Sequence, residues 1–143
     1  MLIEQVELKN IKPYEERTFE FAPGINVLSG PNGSGKSTVF EAIGYALFGV
    51  EAQAFIGKAE RFVRKGAKRG HVRVHFRADG GQRYVIERRV GTDSAWRLAE
   101  KKGDGTEEVI EVKNNDELEG LLKKVLFTTT NAVSGKLAKY FLD

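Results

Sequence analysis

The chain contains no cysteine, which excludes a disulfide framework and a thiolate metal site. That absence suits a reducing compartment. Histidine is nearly as scarce: His71 and His75 are the only two. Residues four apart share a helix face, but these two fall in an alternating stretch, and along a strand such residues lie well apart. They read as exposed polar side chains rather than metal ligands. No apolar run approaches membrane-spanning length. The first residues carry Glu4 and Glu7, where a signal peptide would be apolar. Internal repeats, low-complexity tracts and sustained heptads are missing too. The expected location is the cytoplasm, with no membrane partner. Length and balance, 143 residues with 41% hydrophobic and 30% charged, suit one globular domain rather than a disordered chain.

The net charge of +3 says little, but its distribution says more. Lys58, Arg61, Arg64, Lys65, Lys68, Arg69, Arg73 and Arg77 cluster with Glu60 as the one nearby acid, whereas acids collect from Glu100 to Glu119. The basic stretch can hold a polyanion by charge. It can equally be a solvated face with a contact or two to a nucleotide.

What the chain does have is Gly30-Pro-Asn-Gly-Ser-Gly-Lys-Ser-Thr38, which fits G-x-x-x-x-G-K-[ST], the phosphate-binding P-loop. Gly30, Gly33 and Gly35 let the backbone turn tightly and bring N–H groups to phosphate oxygens. Lys36 can reach the β- and γ-phosphates, and the Ser37 hydroxyl can ligate Mg²⁺. The helix that follows aims its N-terminal dipole at the same anion. Ile25 to Ser29 reads as a short strand entering the loop. Lys36 to Phe48 reads as a helix whose Val39, Ala42, Ile43, Ala46 and Leu47 form one apolar stripe, with Gly49 as its stop.

Alternation elsewhere predicts strands over Leu2–Lys9, Arg17–Phe21, His71–Ala78, Gln82–Val90, Ala95–Lys101 and Glu107–Val112. The first two form a hairpin beside the P-loop strand. The last four form an antiparallel meander of two hairpins, turned at Asp79-Gly-Gly81. Trp96 reads as a packing residue. Asn114 to Asp116 offers caps for a helix over Asp116–Phe127, with Leu118, Leu121, Leu122 and Val125 inward. Ala132–Leu142 reads as a last helix. The fold class is α/β: a P-loop half-domain with a mixed sheet, a P-loop helix and an antiparallel meander.

The sequence resembles the N-terminal half-head of the SMC-like ABC-type ATPases, and within them the ATPase subunit of the SbcCD nuclease and its archaeal and eukaryotic double-strand-break-repair counterparts. The residues that carry the resemblance are Leu8-Lys-Asn-Ile-Lys12, Phe19-Glu-Phe21, Gly24-Ile-Asn-Val-Leu28, Gly30 to Thr38, Glu41-Ala-Ile43, Ala46-Leu-Phe-Gly49, Phe62 to Ala67 and Glu87-Arg-Arg89. It covers roughly residues 1–127. It implies that ATP with Mg²⁺ is sandwiched between two heads, each built from N- and C-terminal lobes separated by a coiled coil. It also implies a nuclease subunit docked on the head, and DNA as the substrate. By position, Lys12 lies near the phosphates. Asn32, Gly33, Ser34, Gly35, Lys36, Ser37 and Thr38 wrap them, and Val63, Arg64 and Lys65 approach the nucleotide from the side.

The chain departs from this pattern in its acids. A P-loop ATPase needs a carboxylate for Mg²⁺ and another that activates water. The nearest candidates, Glu87 and Glu111, sit in the meander, where a strand is not expected to end beside the P-loop. The family's late Gln has no counterpart after Gln82. Val133-Ser-Gly-Lys136 matches the family's Ser-Gly-Gly signature only in part. The expectation is one lobe of a split ATPase that binds Mg-ATP but hydrolyses it very slowly alone. The alternatives are a stand-alone small P-loop phosphotransferase and a non-catalytic nucleotide- or nucleic-acid-binding module.

Overall fold

The computed structural model describes residues 1–31, 33–49, 59–92 and 94–126. The period-two segments pair into a single antiparallel sheet. Its strands are β1 (Leu2–Ile11), β2 (Tyr14–Glu20), β3 (Arg69–Arg77), β4 (Arg83–Gly91), β5 (Ala95–Lys101) and β6 (Glu107–Val109), in the order β2-β1-β3-β4-β5-β6. The N-terminal hairpin and the meander are therefore one sheet. β1 pairs with β2 through Val6↔Phe19 and with β3 through Val6↔Val74. A bulge between Ile3 and Gln5 takes up Glu4 and keeps Val6 and Leu8 on the inner face. The turn at Asp79-Gly-Gly81 forms as its residues dictate: Gly81 is left-handed at φ 90°, and its N–H donates to Ala78 O at 2.9 Å.

One face of the sheet is apolar. Val6, Leu8, Val72, Val74, Phe76, Ile86, Val90 and Leu98 are buried there. The P-loop helix α1 (Lys36–Phe48) lies on it, across β1, β3 and β4. All five stripe residues of α1 are buried, together with Thr38, Gly44, Tyr45 and Phe48. The helix is enclosed over most of its surface, and only a side such as that of Phe40 faces out. Leu118 and Leu122 of α2 (Asn115–Leu126) join the same core, with Leu121 half-buried against it. Asn114 caps α2: its Oδ1 accepts the Glu117 N–H at 2.9 Å, and Glu117 Oε2 accepts the Lys113 N–H at 3.0 Å. Trp96 packs against the core as its sequence setting suggests.

Two expectations are corrected here. Ile25–Ser29 is not a strand. Ile25 is 95% exposed and Val27 81% exposed. A strand needs a lateral partner for its N–H and C=O groups, and among the described residues no strand lies beside this segment. His75 is not on an open face either. It is buried, with Nε2 2.7 Å from Glu7 Oε2, because the long side chains of the polar face cover one another. Arg73 bridges Glu7 on β1 and Glu107 on β6, and Arg97 reaches Glu107 at 3.1 Å. Ala132–Leu142 and the partial signature at Val133–Lys136 lie outside the described residues, as do Gln53 and Lys58. None of the described helices is long and apolar enough to cross a membrane.

Candidate nucleotide site

The Gly residues of the P-loop are placed by backbone geometry. Gly33 and Gly35 adopt φ 81° and 98°, in the left-handed region where a Cβ is strained. Gly35 caps the N-terminus of α1 and has a second reason to be Gly. A Cβ there would lie 2.7 Å from Pro13 Cγ and 2.8 Å from the Tyr14 hydroxyl. Tyr14 donates to Gly35 O at 3.0 Å, so the β1–β2 turn presses directly on the loop. Ser34 N–H donates to Pro31 O at 3.2 Å, and the Lys36 ammonium donates to Gly30 O, closing the loop on itself. Ser37 is exposed, with its hydroxyl at the first turn of α1, whereas Thr38 is buried. Asn32 lies outside the described residues.

The second wall is the β1–β2 turn itself. Asn10 and Lys12 are left-handed at φ 52° and 44°, the two such non-Gly residues among those described. That conformation is costly for a residue with a Cβ, and it is held from both sides. Arg64 N–H donates to Asn10 O at 2.8 Å, Lys12 N–H to Phe62 O at 3.0 Å, and an Arg64 guanidinium N–H to Pro13 O at 2.6 Å. Val63 bridges Ile11. The Lys12 ammonium reaches α1, where it donates to Glu41 at 2.8 Å, and it lies 5.4 Å from the Phe62 ring centroid. Phe62 is buried and its ring sits 6.0 Å from that of Tyr45 on α1.

The structure thus brings Val63 and Arg64 against the β1–β2 turn that carries Lys12, and that turn against Gly35 and α1, though the two segments are far apart in sequence. Lys65 is exposed on the adjoining turn, which closes through Ala67 N–H to Arg64 O at 2.9 Å. Three contributors were not read as site residues: Tyr14, and Glu41 and Phe62, which the sequence marked only as part of the family resemblance. Glu41 had a signal, because it follows Ser37 by four residues and shares its helix face. Tyr14 and Phe62 act through tertiary contacts that no local pattern carries.

Chemically the site is a cation-rich anion cradle. Left-handed glycines, the N-terminus of α1, the Lys36 and Lys12 ammonium groups and the exposed Ser37 hydroxyl all fit a nucleotide phosphate and its Mg²⁺. Reactive acids are a different matter. Glu87 follows Ile86, a residue of the α1-covered face, so it points to the opposite side of the sheet, 3.9 Å from Arg89. Glu111 is exposed past the end of β6. Among the described residues no three His, Asp or Glu side chains converge as a metal cluster. Away from the P-loop, Lys9, Arg69, His71, Glu87 and Arg89 line a polar cleft of about 420 Å³. Burial lowers the pKa of His71; Glu87 opposes the shift, and Lys9 and Arg73 add to it.

A P-loop followed by its helix on a sheet, with the hairpin turn pinned to the loop, defines a P-loop nucleotide-binding fold. A solved structure of the recombination mediator protein RecF-ATP, from the RecFOR pathway, has this fold. The two match with a TM-score of 0.62 over 80% of this chain and 29% of that one, at 21% identity. The chain belongs to the AAA domain family, which matches residues 5–135, and to its SMC-like, Rad50/SbcC-type ATPases. The DNA double-strand break repair Rad50 ATPase of Sulfolobus acidocaldarius is 34% identical over 148 residues, which takes in 100% of this chain. The chromosome partition protein Smc of Thermoplasma acidophilum is 39% identical over 93 residues, 62% of this chain. The chain spans 16% of the length of the first relative and 8% of the second.

Proposed function

We propose that this chain binds Mg-ATP as the Walker A lobe of a DNA double-strand-break-repair ATPase in the cytoplasm. Lys36 neutralises the β- and γ-phosphates, Ser37 offers a ligand to Mg²⁺, and Lys12, Val63, Arg64 and Lys65 flank the nucleotide. Hydrolysis then needs a C-terminal lobe of the same ATPase and a second head, with a nuclease subunit as partner and DNA as substrate. The observation that carries this reading is the segment entering the loop. Ile25-Asn-Val-Leu28 is a strand by composition, yet Ile25 and Val27 are left in water while Leu28 packs against the core. Beside it, Leu2, Phe21, Leu28, Phe40 and Ile43 line an apolar groove of about 370 Å³. Exposed strand formers beside an apolar groove are what a lobe looks like when its sheet continues on another segment. The site also lacks a water-activating acid among the described residues. The Sulfolobus relative's name, DNA double-strand break repair, supplies the biological setting.

The test is turnover with and without the second lobe. The chain alone is expected to bind ATP and hydrolyse it barely, and adding a C-terminal lobe is expected to raise turnover in a Lys36-dependent way. Robust hydrolysis by this chain alone, lost in Lys36→Ala, refutes the split site. A second reading, a nucleic-acid clamp, draws on the exposed Lys65, Lys68 and Arg69. Duplex binding that is strong, steeply salt-dependent and indifferent to ATP would favour it.

A further inference from the structure

The Lys12–Glu41 pair has features that an ordinary surface ion pair lacks. Lys12 is held in a left-handed conformation by its N–H bond to Phe62 O. Its ammonium meets Glu41 at 2.8 Å above the Phe62 ring. Both side chains keep a share of solvent, 34% for Lys12 and 28% for Glu41. Glu41 belongs to α1, one helical turn beyond Ser37 and on the same face. A costly backbone conformation that neighbouring elements enforce points to a side chain whose placement matters. Here the side chain so placed is bound to an acid of the P-loop helix.

We infer that Glu41 gates Lys12: Glu41 and the phosphates of the bound nucleotide compete for one ammonium, so Glu41 weakens and tunes nucleotide affinity. The inference deepens the nucleotide-site reading above and rests on it. A partly solvated carboxylate–ammonium pair is weak. A triphosphate carries several negative charges and strong acceptor oxygens, so it can take the ammonium from a single carboxylate. Glu41 is fixed to α1 and cannot follow. Phe62 supports the aliphatic stem and the cation whichever anion is engaged. When nucleotide leaves, Glu41 takes the ammonium back, so the charge of Lys12 is never left bare.

The test is a fluorescent Mg-ATP titration of the whole chain, followed by anisotropy. It compares the parent, Lys36→Ala, Glu41→Gln, Lys12→Met and the Glu41→Gln/Lys12→Met double variant. Glu41→Gln is expected to bind about 3- to 10-fold tighter, the scale of a partly exposed ion pair. That gain should vanish in the Lys12→Met background, because the competition acts through Lys12. A simple through-space charge effect would survive the Lys12 change. Glu41→Asp keeps the charge with a shorter reach and is expected to fall between parent and Gln; it carries the test if Glu41→Gln fails to fold. Tight, Lys36-dependent binding that Glu41→Gln weakens, leaves unchanged, or improves independently of Lys12 overturns the gate and leaves the nucleotide-site reading standing. No Lys36-dependent binding in the parent overturns both.

Discussion

Gly35 and Lys12 occupy the same backbone region for opposite reasons. At Gly35 a side chain has no room, since its Cβ would lie 2.7 Å from Pro13 Cγ at φ 98°. Gly35→Ala is expected to cost about 1–3 kcal/mol of stability and to lose ATP binding, read by urea denaturation and nucleotide titration on the same preparation. At Lys12 a side chain is present despite the conformation. Lys12→Gly relieves the left-handed strain while removing the ammonium, so stability should hold or rise as nucleotide binding weakens. A fall in stability with unaltered binding would make Lys12 a structural residue. Burial lowers the pKa of His71 below its ordinary 6.5, so the unfolded chain binds the proton more readily than the folded one. The stability of the neutral ring is therefore present above pH 6.5 and is lost as pH falls from there towards the folded value. Glu107 acts lower on the scale. Burial pushes its carboxyl up, but the bonds from Arg73 and Arg97 outweigh that and hold it below its ordinary 4.5. Its contribution is lost in more acid solution. Urea midpoints between pH 7 and 5 should fall, and His71→Asn should flatten that fall.

At the scale of elements, the strands of the sheet's middle and α2 were legible because each has one wet and one dry side, and α1 because its apolar stripe follows the P-loop. Lys36–Phe48 and Ala95–Lys101 form with the bounds that the sequence predicts. α2 begins one residue early because Asn114, rather than a later residue, takes the cap. β6 stops at Val109, three residues short of the period-two reading, with one further bond from Ile110 N–H to Leu98 O at 2.9 Å. What periodicity could not show was how α1 is anchored at its far end. Arg88 alternates with apolar residues of β4 on the core face and is buried. Its Nε donates to Ala46 O at 3.0 Å, in the last turn of α1, where the helix dipole favours a cation. Burial lowers the pKa of this guanidinium, with Tyr45 and Glu119 opposing the shift. Gly49 leaves the space, since a Cβ there would lie 2.9 Å from the guanidinium. Arg88→Met should destabilise the fold by about 1–3 kcal/mol, the cost of an orphaned buried carbonyl. The neighbouring Arg89, exposed on the other face, should tolerate the same change within about 0.5 kcal/mol. Equal losses at both positions would mean that Arg88 does not anchor the helix.

Across the whole molecule, the P-loop was legible because its chemistry is written in consecutive residues, whereas its second wall was not. Asn10 to Tyr14 and Phe62 to Arg64 meet only because β1 runs through the middle of the sheet and returns the hairpin turn to α1. The Val6↔Val74 register that places them is a long-range pairing. The sharpest difference between sequence and structure, the unpaired run at Ile25 to Ser29 with Ile25 and Val27 exposed, is also the most informative about function. Its composition favours a strand, and nothing among the described residues supplies the lateral bonds a strand needs. If that run is an edge awaiting another lobe, Ile25→Ser and Val27→Ser should barely alter the stability of this chain, because those side chains already lie in water at 95% and 81% exposure. Binding of Mg-ATP should persist, since the loop's own N–H groups and Lys36 are untouched. Restoration of ATP turnover by an added C-terminal lobe should fail, because the apolar surface that joins the two lobes is gone. Turnover restored as fully in the double Ser variant as in the parent would mean that the lobes meet elsewhere, and the exposed run would need another explanation.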